Sequence, residues 1–449
     1  MIKKYFIRFS FSLLTFSFLL NPLPLLAQTN NIVNCFDYYR FGSISADLQA
    51  GITQTVSGVP VTFKGDIVNN NNYPVVDGTL YAKIFRVPGG GKDVNGPYVV
   101  DQFVVKDDID LPANGKMPVT YTWKVPSYAI SGEYKIATFF ITSNKFNLLG
   151  LSFTNDIIGN SYSFKVNAEQ NVNVELDKNT VTVNKGEYHF AAFPPRISKD
   201  EPGIVKANII NTTKADQVST ITYNLYSWDA QNEANLINSK SEVVSVKAGK
   251  TQEISYTVTD TKHSVYLLEI TSTYRDTKSI LNIRFVRQGI NEPRINFPSV
   301  TSYPLKAGES NTLFSCFHNT ADETVKDGKL VMSVKDDKGN IIHTATYAGD
   351  ITGAMMGTKS DFIPKKDNNN FWILAELYSG GNLVDSIEVN YSCETLDPDG
   401  CQKEDEASIG SIINPLEWLS KNWIVVASGI ILIVIFLVAL ILLKKKKYE

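Results

Sequence analysis

Excess charge of either sign, cysteine and histidine are all scarce in this chain. Across 449 residues, 43 Lys and Arg stand against 46 Asp and Glu, a formal net charge of −3. Nucleic-acid binders carry a basic footprint, so this balance speaks against DNA or RNA as a partner. The only cysteines are Cys35, Cys316, Cys393 and Cys401, too few for a small disulfide-stapled scaffold. His189, His263, His318 and His343 fall in separate stretches, with no HExxH or related metal-ligand spacing. No G-x-S-x-G elbow or P-loop occurs. Gly89-Gly90-Gly91-Lys92 follows Pro88 in a turn-rich stretch without the helix start of a phosphate cradle, and reads as a hairpin loop. No catalytic, cofactor or metal site is therefore expected. Long amphipathic helices are missing between residues 30 and 410.

The two ends are distinctive. Lys3, Lys4 and Arg8 precede an apolar stretch from Phe11 to Leu20, then Pro22, Pro24 and Ala27. This is the layout of a secretory signal cleaved after Ala27. At the other end, Ile424 to Leu443 is uncharged and long enough to cross roughly 30 Å of hydrocarbon. Trp418 and Trp423 mark its outer interface, and Lys444, Lys445, Lys446 and Lys447 form a cytoplasmic stop by the positive-inside rule. The expectation is a single-pass protein of the cell membrane with its N-terminal ectodomain outside and a very short inner tail. The part outside keeps 36 of the cationic and 45 of the anionic residues, a net of −9, which disfavours bulk attraction to anionic lipid or wall polymer.

Between the ends, runs rich in Val, Ile, Thr, Tyr and Phe alternate with Asn, Gly, Asp and Pro clusters, the pattern of an all-β sandwich or barrel. The runs recur three times. VTFKGDIVNN (Val61–Asn70), IVKANIINTT (Ile204–Thr213) and TLFSCFHNTA (Thr312–Ala321) align on Asn69, Asn211 and Asn319. Phe63, Val205 and Leu313 then share one face with Ile67, Ile209 and Phe317, which predicts an inward face. The asparagine suits an exit turn, where its side chain bonds nearby backbone and tolerates a left-handed conformation. A second strand follows each (GTLYAKIFR, TITYNLYSW, GKLVMSVKD), then a polar turn and strand (LPANGKMPVTYTW, VKAGKTQEISYTV). The third block offers only ITGAMMGTKSDFI there. A penultimate strand completes each block: GEYKIATFF, SVYLLEITSTY and NFWILAELYSG.

Asn69, Pro74-Val75, Gly78-Thr79-Leu80 and Ala113-Asn114-Gly115-Lys116 together resemble the CARDB-like group of immunoglobulin-like β-sandwich modules of prokaryotic surface proteins. The likeness covers most of residues 45–393 and is weakest in the third block. The layout also resembles the anchored partners of WxL surface proteins in Gram-positive bacteria. What the resemblance implies is an adhesion or scaffold role with no catalytic residues.

The plan read from the sequence is signal peptide 1–27, Ig-like sandwich 28–168 with loop additions, sandwiches 169–288 and 289–394, linker 395–421, transmembrane helix 422–443 and basic tail 444–449. Cys316 has the parity of Asp66 and Asn208, hence the outward face, and Cys393 or Cys401 would be its partner. A local Cys393–Cys401 bridge competes. Cys35, two domains away in a linear array, is left to pair between chains. Asp107-Asp108-Ile109-Asp110 and Asp397-Pro398-Asp399-Gly400 lack a full calcium-loop set and read as polar turns. Asn211 and Asn390 head N-x-Ser/Thr acceptor sequences. Leu148, Leu149, Leu151 and Phe153 are apolar for a loop, making them the candidate partner-binding site. The expected function is non-enzymatic adhesion or binding of an extracellular protein or glycan. A scaffold subunit of a membrane-embedded envelope or secretion complex is the alternative. The oligomeric state stays open.

Overall fold

Alternation of the inward residues in the three leading strands decides the architecture, with both faces covered in the middle of the third. In Pro60–Asn69, Gly203–Asn211 and Asn311–Asn319, the residues Phe63, Val205 and Leu313 are fully buried, as are Ile67, Ile209 and Phe317. Burying such a side chain is worth ~1.5–3 kcal/mol, so a strand with this period is pinned to one core. The computed structural model describes residues 32–35, 43–88, 95–142, 146–147, 161–169, 171–190, 194–228, 231–319, 323–353, 356–399 and 401. Among them the secondary structure is almost entirely β. The chain divides into two bodies, Met1–Ser392 and Cys393–Glu449.

In the first body each leading strand sits inside its own small sheet, and the second and penultimate strands lie in another. Pro60–Asn69 pairs with Lys116–Lys124, and Gly203–Asn211 with Thr251–Val258. Asn311–Asn319 pairs in the same way with Met356–Phe362. The weak ITGAMMGTKSDFI segment therefore supplies the missing strand of the third block, although it lacks the polar turn that marks the other two. In the first block Phe63, Trp123 and Phe164 meet across the two sheets at centroid distances of 5.6 and 6.0 Å.

The first two blocks share one sheet of eleven strands. Its path runs from Leu236–Val246 through Gln217–Ser227, Val265–Tyr274, Thr277–Arg287, Tyr98–Leu111, Val75–Val87, Gly132–Thr142 and Ser161–Asn167 to Gln54–Val56. The join is edge to edge, with Ile280 opposite Val99. Asp276 reinforces it by accepting from the Ser127 and Tyr128 amides, and Lys278 by meeting Asp101 at 2.9 Å. Lys178 is buried and donates to the Gly96 and Pro97 carbonyls, at 3.1 and 2.6 Å.

The cysteine expectations need correction. Cys316 does lie opposite Phe317 across its strand, but it is 1% exposed and bonded to Cys35. The face that parity labels outward is covered: Phe314 packs on Tyr73 of the first block at 5.2 Å. Ile32–Asn34 also adds to the sheet by pairing with Met356–Phe362. Cys35 is thus paired within the chain, and the proposed Cys316 bridges to Cys393 or Cys401 do not form. In the second body Cys393, which opens the short helix Cys393–Leu396, bonds Cys401.

Several expectations lie outside the described residues: the signal segment, Leu148, Leu149, Leu151 and Phe153, and the stretch holding Trp418, Trp423, the 422–443 segment and Lys444–Lys447. No described helix is long and apolar enough to cross a membrane.

Candidate functional site

The eleven-stranded sheet presents ordered rows of polar side chains on the face away from the second block's core. Register places Thr220 beside Val243 and Thr273, and Thr222 beside Ser241 and Thr271. In the next row Asn224 stands beside Ser239 and Glu269, with Asn282 beyond. Intervening residues Ile221, Tyr223, Leu225, Leu268 and Ile270 point into the core, so strand alternation alone assembles the rows. Thr222 and Ser241 hydroxyls are 3.0 Å apart, and Ser239 donates to Asn224 Oδ1 at 2.8 Å.

Glu269 closes this array. Its carboxylate accepts from Gln102 at 2.5 Å, Gln231 at 2.8 Å, Asn224 at 3.1 Å and Thr271 at 3.3 Å. Gln231 also donates to Asn282, which donates to Gln102. Burial raises the Glu269 pKa; the hydrogen bonds from Asn224, Thr271 and Gln102 and the Lys83 charge oppose the rise without cancelling it. Gln102 and Lys83 come from the first block and the other residues from the second, so the network also joins the two blocks. Gln231 Oε1 is buried with no hydrogen-bond partner.

A second polar cluster joins the second and third blocks. Glu292 accepts from His263 Nδ1 at 2.9 Å, the Ser264 amide at 2.8 Å, the Ser264 hydroxyl at 2.9 Å and Arg294 at 2.6 Å. Burial would raise this carboxyl, but the His263 hydrogen bond and the Arg294 charge outweigh it and hold the pKa at about 2. Serine, histidine and glutamate together invite comparison with a nucleophilic triad. That chemistry needs the hydroxyl on the imidazole, and here both groups engage the carboxylate. Arg294 also lies over Trp228, whose ring is 5.4 Å from His318.

The remaining sequence candidates resolve into structural roles. Asn69 donates to the Tyr73 carbonyl at 2.9 Å, Asn211 to Ala215 at 2.8 Å and Asn319 to Glu323 at 2.7 Å. All three are buried and none has positive φ, so the asparagines act as clamps on the exit turn rather than as left-handed residues. A buried Asn211 with both amide atoms engaged is a poor glycan acceptor, whereas Asn390 is exposed. Asp107, Asp108 and Asp110 lie within the strand Tyr98–Leu111 rather than in a turn. No group of ligating side chains that could hold a metal is found among the described residues. His343 meets Ser360 at 2.9 Å and stacks on Phe362. The Glu269 network escaped the sequence reading because its members are spread over residues 83–282 and no local motif joins them. A glutamate as the one charged residue of the penultimate strand Val265–Tyr274 is the visible signal.

No known protein family's sequence profile matches the chain. No curated protein matches it either. Among solved structures it is similar to trypsin-activated alpha-2-macroglobulin from Escherichia coli, at 10% identity over 78% of this chain and 23% of that one, with a TM-score of 0.31. Red sea bream transglutaminase matches at 12% identity over 49% of this chain and 31% of that one, TM-score 0.25. Dimeric latent PorU from Porphyromonas gingivalis matches at 10% identity over 78% and 34%, TM-score 0.21. The chain spans about a third or less of the length of each.

Proposed function

We infer that this is a non-enzymatic, single-pass cell-surface protein of three tandem Ig-like sandwiches, whose ectodomain binds an extracellular protein or glycan. The observation that carries the reading is the half-open row of Thr220, Thr222, Thr271, Thr273, Ser239 and Ser241 ending on Glu269. Short hydroxyl side chains held at fixed spacing on a rigid sheet lose little entropy on binding, which favours recognition. The ends of the chain supply the address: a signal segment ending at Ala27 and an apolar 422–443 segment closed by four lysines. The Leu148–Phe153 stretch remains the second candidate contact.

The test is capture of partners from intact cells by the full-length protein carrying Thr222→Arg and Thr271→Arg, with deletion of Lys145–Asn160 run in parallel. Loss of capture by either folded variant supports binding through that surface. Unchanged capture by both removes the two surfaces from the account.

A further inference from the structure

The strand Leu236–Val246 ends the eleven-stranded sheet, and among the described residues nothing pairs with its outer edge. An open edge offers backbone N–H and C=O groups that another strand can complete. Three observations single this edge out. The equivalent strand of the first block, Tyr98–Leu111, is already paired through its outer edge, by Val99 against Ile280. Val243, 71% exposed, is the most exposed large hydrophobic side chain among the described residues, and Val218, diagonal to it and opposite Ser245, is 56% exposed.

The third observation is the charge pattern about Ser241. Lys240 precedes it and Glu242 follows, both on the face carrying Tyr223. Lys240 Nζ lies 5.9 Å from the Tyr223 ring centroid, the Tyr223 hydroxyl donates to Glu242 at 2.6 Å, and the two charges are 3.7 Å apart. The pattern is self-complementary under a two-fold rotation.

We propose that Leu236–Val246 pairs antiparallel with the same strand of a second copy, with the two-fold axis through Ser241. Lys240 then faces the partner's Glu242, Glu242 faces the partner's Lys240, and Val243 is flanked by the partner's Ser239. Opposite charges directly across a pair of strands stabilise it, and like charges destabilise it. Moving the axis to Lys240 or to Glu242 sets like charges opposite each other, so the pattern selects this register. The interface is isologous and closes at two chains. It goes beyond the partner binding proposed above and does not depend on it.

The test uses the full-length protein in its own membrane. Its four cysteines are engaged in two disulfides, so Ser241→Cys adds the free thiol. Directly opposite residues have Cα atoms ~4.5–5.5 Å apart, within disulfide reach. Ser239 is four residues out of register with its own copy, ~13 Å away, and is out of reach. Mild oxidation is expected to give a covalent dimer from Ser241→Cys and none from Ser239→Cys. Adding Lys240→Glu should slow that crosslink at least tenfold, and adding Glu242→Lys as well should restore it. Melting curves check that each variant is folded. No dimer from Ser241→Cys, equal dimer from both cysteine variants, or no rescue by the charge swap overturns the proposal.

Discussion

Cys35 and Cys316 are bonded across 281 residues of sequence, with Cα atoms 5.8 Å apart. The bond fastens the segment before the first repeat block to the leading strand of the third, so the first two blocks lie on a closed covalent loop. The Tyr73–Phe314 contact is enclosed by that loop.

Removing the bond should therefore be costly. Closing a loop this long is worth ~2–5 kcal/mol through the unfolded state. The Cys35→Ser/Cys316→Ser variant is expected to lose stability of that order in denaturant titration. Peptide mapping without reductant should recover the 35–316 and 393–401 pairs; a 316–393 or 316–401 peptide contradicts the assignment.

Glu292 makes stability fall in acid. Its folded pKa of about 2 lies below the ordinary carboxylate value, so its contribution is complete above pH ~4.3 and is lost as pH falls from there toward 2. Glu292→Gln should cost about 2–3 kcal/mol at pH 7 and flatten the acid limb of the stability curve. A limb as steep in the variant as in the parent would locate the titrating group elsewhere.

Glu269 predicts the opposite sign. Its raised pKa means that stability is highest below the ordinary carboxylate pKa and is lost as pH rises through the folded value. Gln102, Gln231 and Asn224 carry amides that can turn to meet a neutral partner. Glu269→Gln should accordingly be as stable as the parent or more so at pH 7, with the difference vanishing in acid. Glu269→Ala abandons four donors and should cost ~1–3 kcal/mol. Equal losses in the two variants would refute the charge argument.

The repeat asparagines should be hard to replace. Asn211 Nδ2 donates to the Ala215 and Val246 carbonyls, at 2.8 and 2.9 Å, and its Oδ1 accepts the Thr213 amide. Asn211→Ala leaves these groups buried without partners, an expected loss of ~2–4 kcal/mol. Asn211→Asp should lose more, since it turns a carboxylate toward those carbonyls. A denaturant midpoint within error of the parent would show that the clamp is dispensable.

Strand periodicity made most of the β architecture legible, because burial parity is local. Phe63, Val205 and Leu313 needed only their neighbours to be placed. Edge-to-edge joining was not legible, since Val99 and Ile280 are unremarkable residues 181 positions apart. Cys316 shows the same limit: parity assigns its side of the sheet, while burial of that side depends on Tyr73 and the 32–35 segment. In the hairpin that joins Val325–Asp336 to Ile341–Ile351, Gly339 takes φ +82°, as a glycine at a tight turn allows. The turn is nonetheless held by the Asp336 carboxylate, which accepts from the Lys338 and Asn340 amides. The polar rows around Glu269 follow from strand register, which composition does not carry.

We propose that this chain binds an extracellular partner through an exposed surface. Crosslinking of intact native cells, capture of this protein and mass spectrometry of the attached species test it most directly. Crosslinks from the Thr222–Thr271 rows or the Leu148–Phe153 stretch to a secreted protein or surface glycan are the predicted result. A reproducible set of membrane proteins, linked only through residues near Trp418 and Trp423, would contradict it and make the chain a subunit of a membrane complex.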